Sequence, residues 1–449
     1  MIPEVKRFER SQLRDSMTRV KWNQRGKVCD VIGTVIEAFL PGSQIGTLVE
    51  IEIDSRQKVL GEVVGFRDDR VLILPFSSMS GIGPGCTVSK QQILNQVPIT
   101  DDCLGKVFDP FMQCLSDDQF SMPARPNHSD VDRPAPNPMA RNRICAPLSL
   151  GVRAIDSMLT LGDGQRVGIM AGSGVGKSVL LGMIARDTSA DINVIALIGE
   201  RGREVREFLE RDLGPEGLKR SIVIAVTSDR SPLMKIRGAK VATAIAEHFS
   251  SQGKSVLLMM DSLTRVAMAQ REIGLAIGEP PTTKGYTPSV FSLLPNLLER
   301  AGPQVAGSGN ISGLYTVLVD GDDFNEPIAD AARSILDGHI VLSRALAAKG
   351  HYPAIEVTNS VSRVMSDVTS REHQALANRA KSYLAIYQEN IDLLQIGAYQ
   401  PGANPKLDEA IQIMPLLDRF LQQTADDHSS MEQSMDQLSG LMSSLQGDL

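Results

Sequence analysis

The sequence predicts an α/β protein with a parallel sheet, preceded by a small β-barrel and followed by a helical domain. In the middle of the chain, apolar runs alternate with amphipathic segments. Short β-rich runs separated by glycines come before them, and only helical patterns follow. The expected segments are a basic helix (1–25), a β-barrel (26–97), a connecting strap or linker (98–150), an α/β core (151–365) and a helical domain with a tail (366–449).

Composition supports a folded protein of several domains. The 449 residues include 42% hydrophobic and 22% charged residues, which is typical of globular proteins. The 46 Lys and Arg residues and the 53 Asp and Glu residues leave a net charge of −7, so nucleic acid is not favoured as the main partner. No apolar run approaches the ~20 residues of a membrane span, and no secretory signal begins the chain, so we expect a cytosolic protein. Five scattered cysteines predict reduced thiols used for packing.

Residues 1–25 carry seven basic side chains, with apolar residues between them at roughly helical spacing. The pattern predicts a basic amphipathic helix. It fits a terminal helix packed on its own domain as well as a helix that docks a partner or a membrane surface.

The next segment contains short β-rich runs separated by glycines, which predicts a small barrel or sandwich. The runs are Val28–Ile36, Thr47–Ile53, Val59–Val64 and Arg70–Leu74. Six prolines then fall between Pro123 and Pro147. Because proline lacks the backbone donor that regular structure needs, we expect a surface linker or an extended strap there.

Five strands of the α/β core are nearly continuous in apolar residues, as strands covered on both faces must be. They are Arg166–Met170, Val194–Ile198, Ile222–Val226, Val256–Met260 and Leu314–Val319. After Arg371 only helical patterns remain, and the last one has an apolar stripe that predicts a core face or a subunit contact. The stripe comprises Met431, Met435, Leu438, Leu441, Met442 and Leu445.

A glycine-rich loop between the first core strand and a helical run predicts a phosphate site, because its N–H groups and the helix N-terminus converge on phosphate oxygens. Its residues are Ala171, Gly172, Ser173, Gly174, Val175, Gly176, Lys177 and Ser178, followed by Val179. We expect Lys177 to reach the β- and γ-phosphates and the Ser178 hydroxyl to bind Mg²⁺. Ala171 replaces the usual first glycine. The alternative is a glycine-rich turn with a chance Gly-Lys-Ser.

Two carboxylates follow other core strands. Asp261 ends an apolar strand about 80 residues after the loop, where a Walker B acid supports bound magnesium. Glu200 follows Val194–Ile198 closely, and we expect it to polarise the attacking water as a general base. The charged cluster around Glu200 also fits a solvated helix start.

Six longer motifs occur in the α/β core: Gly199-Glu200-Arg201-Gly202-Arg203-Glu204-Val205-Arg206-Glu207-Phe208, Asp261-Ser262-Leu263-Thr264-Arg265, Ala269-Gln270-Arg271-Glu272, Gly278-Glu279-Pro280-Pro281, Asp337-Gly338-His339-Ile340-Val341-Leu342-Ser343-Arg344 and His351-Tyr352-Pro353-Ala354-Ile355. In these motifs the sequence resembles the ATPases of type III protein export, the flagellar export ATPase most closely. The resemblance covers about residues 26–415 and is weakest in the strap at 115–145 and in the tail. The injectisome ATPases and the catalytic subunit of rotary ATP synthases are similar.

The resemblance implies a RecA-like core in a homohexameric ring. Arg201 and Arg265 match arginines around the γ-phosphate, Tyr352 the aromatic residue beside adenine, and Arg363 the finger that completes the neighbouring subunit's site. The presence of Glu200 favours a hydrolysing subunit over the noncatalytic subunits of rotary synthases.

The implied role is to hydrolyse Mg-ATP, release chaperones, unfold export substrates and prime an export gate at the inner membrane, with the enzyme cytoplasmic and peripherally attached to that apparatus. The resemblance also implies a central stalk protein at the loop Glu272–Pro288 and a regulatory stator protein at the basic N-terminal helix. A virulence secretion ATPase, a rotary synthase subunit and an RNA-translocating hexamer remain alternatives. The barrel segment has only Phe39, Phe66 and Phe76 for stacking bases, which disfavours the last of these.

Overall fold

The computed structural model describes residues 25–91, 95–117, 119–319 and 323–444. The basic helix predicted at the N-terminus lies outside the described residues, apart from Arg25. The chain divides into two compact units, Met1–Ile93 and Leu94–Leu449.

The first unit is a closed six-stranded barrel of antiparallel strands in the order β1-β2-β5-β4-β3-β6. The strands are β1 (Arg25–Ile32), β2 (Val35–Phe39), β3 (Leu48–Glu52), β4 (Lys58–Arg67), β5 (Arg70–Pro75) and β6 (Thr87–Lys90). Side chains at alternating positions fill the interior, among them Val28, Val49 and Val63. The barrel prediction is confirmed.

Two details of the barrel differ from the sequence prediction. The predicted run Val28–Ile36 is a hairpin, because Gly33 adopts a left-handed φ of 60° that turns the chain between β1 and β2. The short strand β6 was not predicted. It has one buried apolar residue, Val88, and closes the barrel by pairing with both β1 and β3.

The second unit contains an eight-stranded sheet in the order β18-β17-β12-β16-β15-β13-β14-β8, parallel except for the edge pair β17–β18. Two small antiparallel ladders, β7–β9 and β10–β11, accompany it. The strands are β7 (Gln96–Ile99), β8 (Lys106–Phe108), β9 (Asn127–Asp130), β10 (Pro147–Leu148), β11 (Leu161–Gly162), β12 (Arg166–Ala171), β13 (Ile192–Glu200), β14 (Ser221–Thr227), β15 (Val256–Asp261), β16 (Ile311–Leu318), β17 (Gly338–Leu342) and β18 (Val361–Ser362).

Helices cover the sheet and form the C-terminal region. They are α1 (Arg153–Met158), α2 (Lys177–Asp187), α3 (Gly202–Glu207), α4 (Gly214–Lys219), α5 (Pro232–Ser251), α6 (Leu263–Ile277), α7 (Pro288–Leu298), α8 (Pro327–Ile335), α9 (Arg344–Ala348), α10 (Met365–Val368), α11 (Arg371–Glu389), α12 (Ile391–Gln395), α13 (Pro405–Leu421) and α14 (Met431–Ser444). A π-helical segment, Phe208–Leu213, joins α3 to α4. The five predicted core strands all lie in the large sheet, and the predicted fold class is confirmed.

The segment 98–150 does more than link two domains. Its strand β8 pairs in parallel with β14 and forms one edge of the large sheet. Only three residues pair there, which is too short a run for a sequence pattern to reveal. At the opposite edge, β18 pairs antiparallel with β17, and neither strand was predicted.

The loop predicted at Glu272–Pro288 is shorter in the structure. Residues up to Ile277 belong to α6, and Gly278 ends that helix with a left-handed φ of 92°. The remaining loop contains buried Tyr286, whose ring lies 5.3 Å from the Arg271 guanidinium.

The apolar stripe of α14 packs against the chain's own core, where Leu438 and Met442 are buried. Leu445 lies outside the described residues. The prediction that all five cysteines are packing residues is wrong for two of them, because Cys29 and Cys145 are exposed, although all five are free thiols.

Candidate active site

The glycine-rich loop lies at the carboxyl end of β12, as the motif predicts. Gly174 and Gly176 have φ values of 77° and 84°. Residues with a side chain rarely adopt this left-handed backbone conformation, so the loop needs glycine at both positions. Helix α2 starts at Lys177 and has no side-chain cap, so its first N–H groups remain available to an anion. Ala171 is the last residue of β12 and is fully buried, which accommodates its methyl group in the core.

Three predicted side chains meet at this edge of the sheet. The Lys177 amine lies 2.5 Å from Asp261 Oδ1 and 3.4 Å from Glu200 Oε1. Asp261 ends β15 and Glu200 ends the adjacent strand β13, so parallel pairing brings both carboxylates to the same edge. All three side chains are at least four-fifths buried, and the cluster carries one positive charge against two acids.

Burial shifts the protonation of this cluster. It raises the pKa of Glu200 to about 7; the Asp261 charge adds to that rise and Lys177 opposes it. Burial disfavours the charged form of Lys177, but the two carboxylates outweigh it and raise the pKa of the amine. Glu200 therefore exchanges a proton near neutral pH, which suits a general base.

Thr316 is a site residue that the sequence analysis missed. Its hydroxyl donates to Asp261 Oδ1 at 2.6 Å from the neighbouring strand β16, and it is fully buried. β16 has three hydroxyl side chains, Ser312, Tyr315 and Thr316, so the sequence did not single out Thr316. The bond orients the Asp261 carboxylate toward Lys177.

The two predicted γ-phosphate arginines differ in environment. The aliphatic part of Arg265 packs on Gly199, where an added Cβ would lie 3.1 Å from it, and its Nε is buried without a hydrogen-bond partner among the described residues. Arg201 is mostly exposed and pairs with Glu204 at 2.8 Å. Glu204 also contacts the carboxyl of Glu200, so it links Arg201 to Glu200.

Tyr352 lies beside the other end of the loop. A Cβ added to Gly176 would lie 3.2 Å from its ring, and the two residues share a cavity of about 380 Å³. Other lining residues are Val179, Leu180, Met183, Pro353, Gln423, Thr424 and Ala425. The last three belong to the C-terminal region and were not predicted. The Gln423 N–H donates to the Tyr352 carbonyl at 2.9 Å, which ties that region to the cavity.

Arg363 stands apart from this cluster. It follows β18, and Ser362 pairs with Gly338 at the amino end of β17. Since the loop begins level with Leu342 at the other end of β17, a distance of roughly 13 Å along the strand separates Arg363 from its own loop. Its guanidinium donates to the Arg333 carbonyl at 3.3 Å. No hydrogen bond or ion pair in the described part of the chain joins it to Lys177, Glu200 or Asp261.

The oxygen-bearing side chains predicted here are of a chemical type that fits a magnesium ion. Ser178 and Asp261 supply a hydroxyl and a carboxylate, the hard donors that Mg²⁺ prefers. Within the described ranges, no group of three or more His, Cys, Asp or Glu side chains could hold a metal by itself.

Family models match three parts of the chain. The nucleotide-binding domain of the ATP synthase alpha/beta family matches residues 151–362, and the beta-barrel domain of that family matches residues 28–90. The C-terminal domain of the T3SS EscN ATPase matches residues 369–440. Among the helices of the described ranges, none combines the length and the hydrophobicity of a membrane span.

Curated relatives match nearly the whole chain. The flagellum-specific ATP synthase of Bacillus subtilis (strain 168) is 52% identical over 94% of this chain and 95% of that protein. The type 3 secretion system ATPase of Xanthomonas euvesicatoria is 45% identical over 98% of this chain and 99% of that protein.

A solved structure of the assembled ATPase EscN from enteropathogenic E. coli, 45% identical, superposes with a TM-score of 0.86 over 93% of this chain and 99% of that one. A second structure contains EscN in complex with its central stalk EscO. By sequence, barrel, nucleotide-binding domain and C-terminal region alike, this chain belongs to the ATP synthase alpha/beta family, in the group of flagellum-specific ATP synthases and type 3 secretion system ATPases.

Proposed function

We propose that this chain hydrolyses Mg-ATP to drive the type III export of flagellar proteins. The observation that carries the proposal is the buried contact of the Lys177 amine with Glu200 and Asp261 beside the glycine-rich loop. A phosphate group arriving at the loop competes with the two carboxylates for that amine. Family membership and 52% identity to a flagellum-specific ATP synthase supply the export role.

Nucleotide phosphates bind along the loop from Ala171 to Val179. The free N–H groups at the start of α2 point toward them, and Lys177 supplies the positive charge. Ser178 and Asp261 would hold Mg²⁺, which neutralises phosphate charge when it is bound. Thr316 keeps the Asp261 carboxylate oriented for that purpose.

Glu200 accepts a proton from the attacking water. Its place at the end of β13, beside the Lys177 amine, suits a group that must act next to the terminal phosphate. Arg265, with its buried Nε, and Arg201, held by Glu204, supply positive charge around the transferring phosphoryl group.

The adenine base occupies the cavity beside Tyr352. The aromatic ring, the aliphatic side chains of Val179 and Leu180 and the nearby Gln423 offer a stacking face, an apolar floor and polar edges. Because Gln423 lies in the C-terminal region, base binding also contacts that region.

Six copies assemble into a ring in which Arg363 completes the neighbouring subunit's site. The support is its place at the amino end of the sheet, away from its own loop, and the assembled state of EscN, a 45% identical relative. A guanidinium supplied by a neighbour can contribute ~10³–10⁵ in rate.

The ring works in the cytoplasm at the inner-membrane export apparatus. A central stalk protein docks at the loop between α6 and α7, by analogy with the complex of EscN with EscO. A stator protein binds the basic N-terminal helix, and ATP turnover releases chaperones from export substrates, unfolds them and primes the export gate.

Replacing the flagellum-specific ATP synthase of Bacillus subtilis with this chain tests the export role. We expect swimming and the secretion of flagellar proteins to return with the wild-type chain and not with Lys177→Ala. A parallel replacement of the type 3 secretion system ATPase of Xanthomonas euvesicatoria tests the injectisome alternative. Rescue of injectisome secretion without rescue of motility would overturn the flagellar assignment.

The remaining alternatives differ in what stimulates hydrolysis. An export ATPase is stimulated by an export stalk protein, whereas an RNA translocase is stimulated by single-stranded RNA. Stimulation by RNA alone, measured on the purified protein, would favour the translocase.

A further inference from the structure

Gly172 is a loop glycine whose backbone does not require glycine. Its φ is not positive, unlike those of Gly174 and Gly176. A Cβ built at Gly172 would lie 2.6 Å from Nε, 2.7 Å from Nη2 and 3.0 Å from Cζ of Arg344. The guanidinium of Arg344 therefore lies directly against the α-carbon of Gly172 and occupies the space of a side chain.

The sheet brings Arg344 to this position. Strand β17 pairs in parallel with β12, and Leu342 aligns with Ala171, so both strands end at the same level. Ser343 then caps α9 by accepting a hydrogen bond from the Leu346 N–H at 3.4 Å, and Arg344 becomes the first helical residue. Its side chain reaches across the end of β12 to the start of the loop.

The same segment returns to the loop at the other end. After α9 the chain reaches Tyr352, whose ring lies beside Gly176. Residues 343–353 therefore contact the phosphate loop at its first glycine and at its last. Apolar packing does not explain Arg344, because its side chain is exposed to solvent and its contact with the loop is made by the guanidinium.

We propose that Arg344 is a positioning residue for ATP hydrolysis, which holds the first turn of the phosphate loop against the end of β17. A planar guanidinium carries five donors in a fixed geometry, so it can lie flat on the backbone and hold nearby oxygens in one arrangement. It also adds positive charge at the rim of a site whose lysine already contacts two carboxylates. The proposal rests on the proposed nucleotide site and is independent of the export role.

A double-mutant cycle between Gly172→Ala and Arg344→Ala tests this contact. Arg344→Ala releases the loop, and we expect kcat/KM for ATP to fall about tenfold or more, mainly through kcat, because small displacements of a catalytic group are costly. Gly172→Ala displaces the guanidinium and should do the same. The double variant should be no worse than Arg344→Ala, because the added methyl group then finds open space.

Three comparisons separate positioning from a structural role. Thermal unfolding of Arg344→Ala should match the wild type, and Arg344→Lys should recover only part of kcat, because an ammonium lacks the planar fork. Lys349→Ala, which removes a cation of the same segment that lines a different cavity, should hydrolyse ATP at the wild-type rate.

Two results would overturn the inference. One is an Arg344→Ala enzyme within twofold of the wild type in kcat and kcat/KM. The other is a Gly172→Ala penalty that is equal in the presence and absence of Arg344. If the wild-type protein does not hydrolyse ATP, the proposed function itself fails, so the two failures are distinguishable.

Discussion

At the amino end of the large sheet, buried charges are held by several fixed bonds each. Arg166 binds Asp337 through Nε at 3.1 Å and Nη2 at 3.2 Å, and Arg300 binds both oxygens of Glu247 at 2.8 Å. At the carboxyl end, Lys177 has two carboxylate contacts of unequal length, 2.5 and 3.4 Å. The first arrangement uses planar, bidentate pairs, whereas the second uses a single ammonium without a planar fork.

The contrast indicates what each end does. Bidentate pairs are costly to break, so they hold the strands in place. An ammonium between two acids can exchange a carboxylate for a phosphate oxygen with little rearrangement. Both ends contain buried charges, and the geometry of the bonds rather than the burial marks the site.

Lys177→Ala should have the largest effect, loss of ATP hydrolysis to background. The variant removes the positive charge that faces the phosphates. The fold should survive, because Glu200, with its pKa near 7, takes up a proton and relieves the repulsion with Asp261. Release of phosphate from ATP, measured on a variant with a normal circular dichroism spectrum, checks this prediction. Near-normal turnover would contradict the assignment of residues 171–179 as the phosphate-binding loop.

Arg363→Ala should retain ATP binding and lose turnover by about 10³ or more, because the finger acts in the transition state. If the residue acts in a neighbouring subunit, the specific activity of the wild type should rise with protein concentration as rings form. A mixture of Arg363→Ala and Glu200→Gln should recover part of the activity. A verified monomer that stays fully active after Arg363→Ala would remove both the ring and the finger.

Glu247→Ala breaks a pair at the amino end and should lower the free energy of unfolding by about 3–5 kcal/mol, because Arg300 is left buried with its charge uncompensated. The kcat of the folded fraction should stay unchanged. Glu210→Ala is the matched control, since its pair with Arg206 is exposed and should contribute no more than about 1 kcal/mol. Denaturant unfolding measures both, and a loss of kcat without a loss of stability would reverse the roles of the two ends.

The smallest expected effect is the dependence of kcat/KM for ATP on pH. Burial raises the pKa of Glu200 to about 7, and the base acts only when it is deprotonated. Since kcat/KM reports the free enzyme, it should be constant above that pH and fall about tenfold per unit below it. An acid limb near 4.5, the ordinary value for a glutamate, would show that the cluster does not perturb this carboxyl.

The sequence predicts most of the carboxyl end and little of the amino end. The sequence predicts the loop motif, Glu200 and Asp261, because each follows an apolar strand and parallel strands bring such residues to one edge. The Arg166–Asp337 pair joins residues 171 positions apart with no local pattern to relate them. The same holds for the contact of Gln423 with Tyr352 and for the three-residue strand β8. Long-range contacts decide these features, and local spacing does not encode them.

In the proposed mechanism Glu200 performs the chemistry at a nucleotide site that other residues build. Glu200→Gln preserves the shape of the side chain and removes the base, so ATP binding and turnover in this variant test the claim directly. We expect an ATP affinity within a few-fold of the wild type and a kcat at least 10²-fold lower. Unchanged turnover per bound ATP, or a loss of binding with normal turnover, would contradict it.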